Sequence, residues 1–179
     1  MREIVFELCA ESIDACLVAR AGGANRIELC RALSEGGLTP SPGLIQEAVR
    51  CSGLPVHVLL RPRGGNFIYT DTEFAVMRED LKHMRLLGVG GIVLGLLHED
   101  ATVDVERTRE LVAIAGPLDV TFHRAFDQAS SLDQALEDVI STGCSRVLTS
   151  GGERNVVSGA QSLARLVKQA EGRIEVAVG

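Results

Sequence analysis

The chain has 179 residues, of which 46% are hydrophobic and 23% charged, and its formal net charge is −6. This composition is ordinary for one globular domain with a sizeable core. The acidic balance argues against nucleic-acid binding, which needs a basic surface. No apolar run reaches the roughly 18 residues that a membrane-spanning helix needs, so we expect no membrane partner. The five cysteines are scattered and form no C-x-x-C pair, which favours reduced thiols and a cytoplasmic location.

Short apolar runs alternate with helical patterns along the whole chain. The runs are rich in Val, Ile and Leu, as expected for strands buried on both faces, and they begin near residues 4, 26, 56, 91, 119, 146 and 174. Helix-start signals follow the first five runs at Ser12, Ser41, Thr70, Asp104 and Ser131, and a last helix is predicted over about Ser158–Ala170. Strand–helix units that recur about every 22 to 35 residues predict a parallel sheet with right-handed crossovers.

Two architectures are compatible with these units, a doubly wound sheet and a TIM-type (β/α) barrel. A doubly wound sheet is expected to carry a G-x-G-x-x-G turn after its first strand, but that turn is Cys9-Ala10-Glu11-Ser12 here. We therefore predict a single (β/α) barrel domain over residues 1–179. A complete barrel usually takes about 250 residues. We expect an incomplete barrel of about seven strands, truncated at the C-terminus, whose unpaired edges favour a homo-oligomer such as a dimer or tetramer.

Polar residues are predicted at the ends of five strands, where a barrel builds its site: Glu7, Glu28, Arg61, His123 and Ser150. The two glutamates are candidates for acid/base catalysis, for holding a cation or for pairing with arginine. His123 is a candidate general acid/base or metal ligand, and a purely structural histidine is the alternative. His57, at the start of the third strand, is interpreted as structural because it lies towards the opposite end.

Two loops have the composition of anion sites. Arg61 and Arg63 lie beside Gly64-Gly65, so guanidinium groups and backbone N–H groups together can cradle a small anion. The alternative is that Arg61 neutralises Glu7 or Glu28. After the sixth strand, Ser150 and the glycines that follow offer similar donors, and a tight turn is the alternative interpretation.

Two further residues follow His123 closely in the sequence. Arg124 and Asp127 are added to the anion-binding candidates. The carboxylate of Asp127 is close enough along the chain either to orient His123 or to pair with Arg124.

Side chains two residues apart in a strand point to the same face, so Cys9 shares a face with Glu7 and Cys30 shares a face with Glu28. If neighbouring strands present these faces together, two carboxylates and two thiols meet. Paired thiolates suit a soft ion such as Cu(I) or Zn(II), whereas packing in the core is the alternative for each cysteine taken alone. No lysine ends a strand, which disfavours a Schiff-base aldolase.

The chain resembles the CutC family of copper homeostasis proteins. The resemblance is carried by six motifs in family order: Phe6-Glu7-Leu8-Cys9, Arg26-Ile27-Glu28-Leu29-Cys30, the segment 35–41 (EGGLTPS), Arg61-Pro62-Arg63-Gly64-Gly65, the segment 120–127 (VTFHRAFD) and the segment 146–151 (RVLTSG). It implies a (β/α) barrel in the cytosol, a role in copper tolerance or trafficking, and Cys9 and Cys30 as Cu(I) ligands. It also implies an eighth strand beyond Gly179.

Three functional hypotheses follow. The first is a copper homeostasis protein that binds Cu(I) through Cys9 and Cys30. The second is an enzyme on a small anionic substrate, in which Glu7, Glu28 and His123 transfer protons and Arg61 holds the anion. The third is a structural or interaction role with a degenerate site. For the second we expect these four residues around one cleft at the carboxyl ends of the strands.

Overall fold

The structure, a computed structural model, describes residues 4–179, in which seven strands alternate with six α-helices. The strands are β1 (Glu7–Ala10), β2 (Arg26–Leu29), β3 (Val56–Leu59), β4 (Gly91–Leu94), β5 (Asp119–Phe122), β6 (Arg146–Thr149) and β7 (Glu175–Val178). The helices are α1 (Ile13–Ala21), α2 (Pro42–Cys51), α3 (Asp71–Leu86), α4 (Val105–Ala115), α5 (Leu132–Thr142) and α6 (Ala160–Ala170). Short 3-10 helices cover Leu33–Glu35 and Arg124–Gln128.

The strands of the sheet follow one another in chain order from β1 to β7. Every strand pairing that the structure describes is parallel. A doubly wound sheet departs from chain order because its connections reverse at a switch point, so that alternative is excluded. Consecutive parallel strands joined by helices are the pattern of a (β/α) barrel, and the predicted seven-stranded, incomplete TIM-type class is confirmed.

The chain divides into two compact units. Residues 4–65 and 73–93 form the first, which carries β1 to β3 and most of β4. Residues 66–72 and 94–179 form the second, which carries β5 to β7. In the first unit one sheet face is apolar and buried, with Ile27, Leu29 and Val58 fully inside, as expected for the face that the helices cover.

Four of the helix starts predicted from the sequence are capped as expected, whereas α6 begins after Gly159 without a side-chain cap and not at Ser158. Ser12 Oγ accepts a hydrogen bond from the Ala15 amide at 3.1 Å, and Ser41, followed by a proline in the first turn, does the same for α2. Asp104 and Ser131 cap α4 and α5 in the same way. Among residues 4–179, no helix combines the length and the hydropathy of a membrane span.

The first strand begins later than the sequence predicts. The apolar run was expected to form a strand from Ile4, but Ile4 is 88% exposed and β1 starts at Glu7. Just before β1, the Phe6 N–H donates a hydrogen bond to Asn25 Oδ1, and the Asn25 N–H donates to the Phe6 carbonyl. Glu7 is therefore the first residue of β1, and the prediction that it lies at the carboxyl end of this strand is wrong, because hydrophobicity alone does not set where pairing begins.

Candidate functional site

The polar residues of the first unit lie in successive layers across one face of its sheet. The register pairs Glu7 with Arg26, and Cys9 with Glu28. Glu28 is paired in turn with His57 on β3. Because side chains alternate along a strand, all five share one face, which we name the Glu28 face.

Glu7 forms an ion pair with the directly opposite Arg26. Both side chains are largely buried, at 18% and 11% exposure. Arg26, the first residue of β2, is a site neighbour that the sequence analysis missed. It could be found only once the β1–β2 register was known.

Glu28 occupies the centre of this face. It is 8% exposed, and its Oε1 accepts a hydrogen bond from the Cys9 thiol at 3.5 Å. Its Oε2 is buried and has no hydrogen-bond partner among residues 4–179. Burial and, next, the nearby Glu7 carboxylate raise the pKa of Glu28 to about 7, despite opposing effects of Cys9 and Arg26. A carboxyl with this pKa can both accept and donate a proton near neutral pH.

The two cysteines on this face are strongly held as thiols. Desolvation first, and then the charge of Glu28, raise the pKa of Cys9 well above its ordinary value, although its side chain remains partly open to solvent. The same two causes, in the same order, raise the pKa of Cys30 to about 11. Any metal that binds here must displace these protons.

Cys9 and Cys30 share the face but are not directly opposite each other. Cys9 is level with Glu28, and Cys30 lies two residues after Glu28, directly beyond the end of β2. With about 3.3 Å of rise per residue and about 4.8 Å between strands, their Cα atoms are about 8 Å apart. Cys30 is 1% exposed and packs with Leu59 and Val93.

His57 lies beside Glu28, although the sequence analysis placed it towards the opposite end from the site. It is buried and paired in register with Glu28, although it is only the second residue of β3. The placement at the opposite end from the glutamate is therefore wrong. The reason is the stagger between strands, which sets the second residue of β3 level with the third residue of β2.

Arg61 follows β3 and binds backbone carbonyls. It is 6% exposed, and its Nη1 donates to the carbonyls of Glu35 and Gly37, both at 2.9 Å. Its Nη2 donates to the carbonyl of Gly65 at 2.8 Å. Neither of the predicted partners, Glu7 or Glu28, is among these contacts.

Arg63 forms an ion pair with Glu73 at 2.5 Å. It also donates to the carbonyl of Gly64 at 3.1 Å. Anion binding by Arg61 and Arg63 stays a prediction.

In the second unit, His123 directly follows β5 and is buried. Its Nδ1 accepts a hydrogen bond from the Ala125 amide at 3.1 Å, which places the proton of a neutral ring on Nε2. The Phe67 ring lies 4.9 Å away between centroids. A side chain at Gly95 would overlap the imidazole, so this glycine makes room for the ring.

Asp127 is the centre of a dense hydrogen-bond network in the second unit. It accepts from the hydroxyls of Thr149 and Ser150, from the amides of Ser150 and Gly152, and from Arg124 Nε at 2.8 Å. Partial desolvation alone would raise its pKa, but these donors outweigh it and lower the pKa. Of the two alternatives from the sequence, Asp127 pairs with Arg124.

Ser150 belongs to the same network, since its hydroxyl also accepts from Arg124 Nη2 at 2.7 Å. The network joins the end of β6 to the 3-10 helix after β5. Anion binding by Arg124, Asp127 and Ser150 stays a prediction.

The structure thus brings Glu7, Cys9 and Glu28 together in the first unit, and Arg124, Asp127 and Ser150 together in the second. The predicted common cleft of Glu7, Glu28, Arg61 and His123 stays a prediction. Among residues 4–179, no group of three or more His, Cys, Asp or Glu side chains is arranged to hold a metal ion. A site built from two thiols needs no such group.

The CutC family model matches residues 4–179 of the chain. The chain belongs to the CutC family. A CutC family protein of Chromobacterium violaceum is 51% identical over 98% of this chain and 71% of its own length. The Homo sapiens protein named copper homeostasis protein cutC homolog is 46% identical over 98% of this chain and 64% of its own length.

Structural comparison supports the same conclusion. A crystal structure of CutC from Streptococcus agalactiae has a TM-score of 0.92 at 34% identity and covers 99% of this chain and 88% of that chain. The resemblance seen in the sequence motifs is confirmed.

Proposed function

We propose that this CutC protein acts in copper homeostasis and binds Cu(I) as its cargo through Cys9 and Cys30. Two findings support the proposal: the family membership, with relatives named for copper homeostasis, and the β1–β2 register. The register carries the argument, because it sets Cys9 level with Glu28, and Cys30, two residues after Glu28, is expected on the same face. Cu(I) is a soft ion that prefers thiolate ligands.

The spacing of the two cysteines suits one shared ion. Two sulfur atoms on one Cu(I) lie within about 4.6 Å, twice a metal–sulfur bond of about 2.3 Å taken from zinc. Cα atoms about 8 Å apart on adjacent strands allow this separation when the side chains rotate towards each other. The core position of Cys30 suits a ligand that must be shielded from water and oxidants.

Glu28 has a defined part in this proposal. Both thiols have raised pKa values and are protonated at neutral pH. The Glu28 carboxylate already accepts the hydrogen bond of the Cys9 thiol, and its pKa of about 7 lets it take up that proton when the sulfur binds the ion. Two thiol protons are displaced and Glu28 can take up only one, so Cu(I) binding is expected to release the other and to strengthen as pH rises.

The test is an anaerobic Cu(I) titration against a chromogenic chelator. We expect the Cys9→Ser/Cys30→Ser double variant to bind Cu(I) more than about hundredfold more weakly. Even the loss of residues that only hydrogen-bond to metal ligands changes metal affinity by about 10- to 100-fold. Cys51→Ser is the matched control, because Cys51 ends α2 outside the Glu28 face, and it should keep the affinity of the unchanged protein. Equal affinity in the double variant contradicts the proposal.

Glu28 also favours a second candidate function, an enzyme that acts on a small anionic substrate. A buried carboxyl with a pKa of about 7 and one open oxygen is suited to proton transfer. This candidate further assigns proton transfer to Glu7 and His123 and anion binding to Arg61.

The test of this second function is NMR detection of solvent deuterium exchange into small carboxylic and phosphorylated acids. Exchange should disappear in Glu28→Gln and persist in Glu99→Gln, and an absence of exchange in the unchanged protein rules the candidate out.

Two further properties belong to the proposal. A reduced, thiol-based copper site is compatible with the cytoplasm, and the exposed strand edges favour self-association into a dimer or tetramer. Light scattering of the purified chain measures the second directly.

A further inference from the structure

The thiol of Cys30 is covered by a loop. Residues 31–39, which we name the Gly37 loop, lead from β2 towards α2, and Gly37 is buried within it. A Cβ atom on Gly37 would lie 3.7 Å from Cys30 Sγ and 2.8 Å from Leu59 Cδ2. The backbone of Gly37 therefore lies close to this sulfur and to Leu59, and it leaves no room for a side chain.

The Gly37 loop has a defined closed shape. Arg31 and Leu38 exchange two backbone hydrogen bonds, at 2.9 and 2.7 Å, which close its base. Gly36 and Gly37 have φ angles of 82° and 87°, a left-handed conformation that side chains other than glycine rarely adopt. Of the residues between Arg31 and Leu38, only Gly37 is buried, so it is the residue of the loop set deepest against the core.

The side chain of Arg61, two residues after the end of β3, holds that point in place. Arg61 Nη1 donates to the carbonyls of both Glu35 and Gly37, and Nη2 donates to the carbonyl of Gly65 in the next loop. The backbone of Arg61 also exchanges hydrogen bonds with Thr39. The guanidinium thus ties two glycine-containing loops together with charge-assisted bonds that span several carbonyls at once, which a lysine ammonium cannot reproduce.

We propose that Arg61 is a positioning residue that keeps the Gly37 loop closed over Cys30 and thereby controls access to this thiol. The significance for Cu(I) rests on the proposed function. The covering itself does not, since it follows from the contacts of Arg61 and Gly37 alone. The cargo would reach the exposed Cys9 first and Cys30 only when the loop lifts.

The experiment measures alkylation of individual cysteines by iodoacetamide in the native, metal-free chain, with peptide mass spectrometry as the readout. The thiolate displaces iodide, and the thiol proton passes to the buffer. Cys16, buried in α1 of the same unit, reports unfolding, so the measured quantity is the ratio of the Cys30 rate to the Cys16 rate. Arg61→Lys should raise this ratio about 10- to 100-fold, as expected for the loss of one hydrogen bond to a charged group.

Two further variants complete the test. Gly37→Ala should raise the same ratio by lifting the loop, because its Cβ would crowd Leu59 and its φ is unfavourable for alanine. Arg50→Lys, at an exposed position of α2, should leave the ratio of the Cys30 rate to the Cys16 rate unchanged. An unchanged ratio in both Arg61→Lys and Gly37→Ala overturns the proposal. If the ratio rises but the unchanged chain binds no Cu(I), the copper function fails while the covering role of Arg61 stands.

Discussion

Glu28 is expected to make the protein less stable as pH rises through neutrality. Burial and the Glu7 carboxylate raise its pKa from 4.5 to about 7 in the folded protein. Between these values the folded protein keeps a proton that the unfolded chain has released, so the free energy of unfolding falls with pH over this window and stays low above it. At about 1.4 kcal/mol per pKa unit, the full effect is about 3 kcal/mol.

The perturbation is Glu28→Gln, which keeps the shape of the neutral carboxyl and cannot ionise. The variant should therefore gain stability relative to the unchanged protein as pH rises, by about 3 kcal/mol between about pH 4.5 and pH 8. For a chain of this size, that is a difference in melting temperature of about 6 to 12 °C. The same variant should lose the proton acceptor of Cys9, so both thiol protons would pass to solvent and the gain in stability would accompany a steeper rise of Cu(I) affinity with pH.

Urea unfolding followed by circular dichroism at several pH values measures the difference. Titrations of other groups are common to both proteins and cancel when the two curves are subtracted. Glu99→Gln, at an exposed position, should reproduce the pH dependence of the unchanged protein. A difference between Glu28→Gln and the unchanged protein that stays constant with pH would refute the burial argument.

Three further predictions concern both units. Asp127→Asn should lower the free energy of unfolding by about 3 kcal/mol in urea denaturation, because it loses the charge that several donors share, whereas Asp133→Asn, at an exposed ion pair with Arg165, should change it by at most about 1 kcal/mol. Gly95→Ala should destabilise the protein by about 1 to 3 kcal/mol, since its side chain would displace the His123 ring; an unshifted His123 signal in NMR would contradict this. Cu(I) affinity should rise between about pH 6 and 8 in chelator competition, and a flat profile would argue against protonated thiols as the ligands.

The sequence determined the local elements of this protein. Ser12, Ser41, Asp104 and Ser131 open their helices where capping rules predict. Alternating strand and helix signals were enough to predict the parallel sheet in chain order. These features depend on neighbours within a few residues, so a linear sequence contains the information for them.

Strand parity, another local property, linked Cys9 with Glu7 and Cys30 with Glu28, but only the register set Cys9 level with Glu28. Parity could not show that β1 begins at Glu7, that Glu7 pairs with Arg26, or that His57 lies level with Glu28. The register between strands comes from packing and hydrogen bonding across the sheet, and a stagger of one or two residues decides which side chains meet.

The contacts that the loops make depended on tertiary structure to an even greater degree than the strand register. The motif around Arg61 suggested an anion cradle, which stays a prediction, but it did not show that the guanidinium binds carbonyls from two loops, one of them more than twenty residues away along the chain. The segment 35–41 stood out in the sequence only as a family motif, and nothing in it predicted that Gly37 would lie close to Cys30. Sequence determined which groups were available. Only the three-dimensional packing decided which were buried, and burial is what raises the pKa of Glu28 and shields the Cys30 thiol.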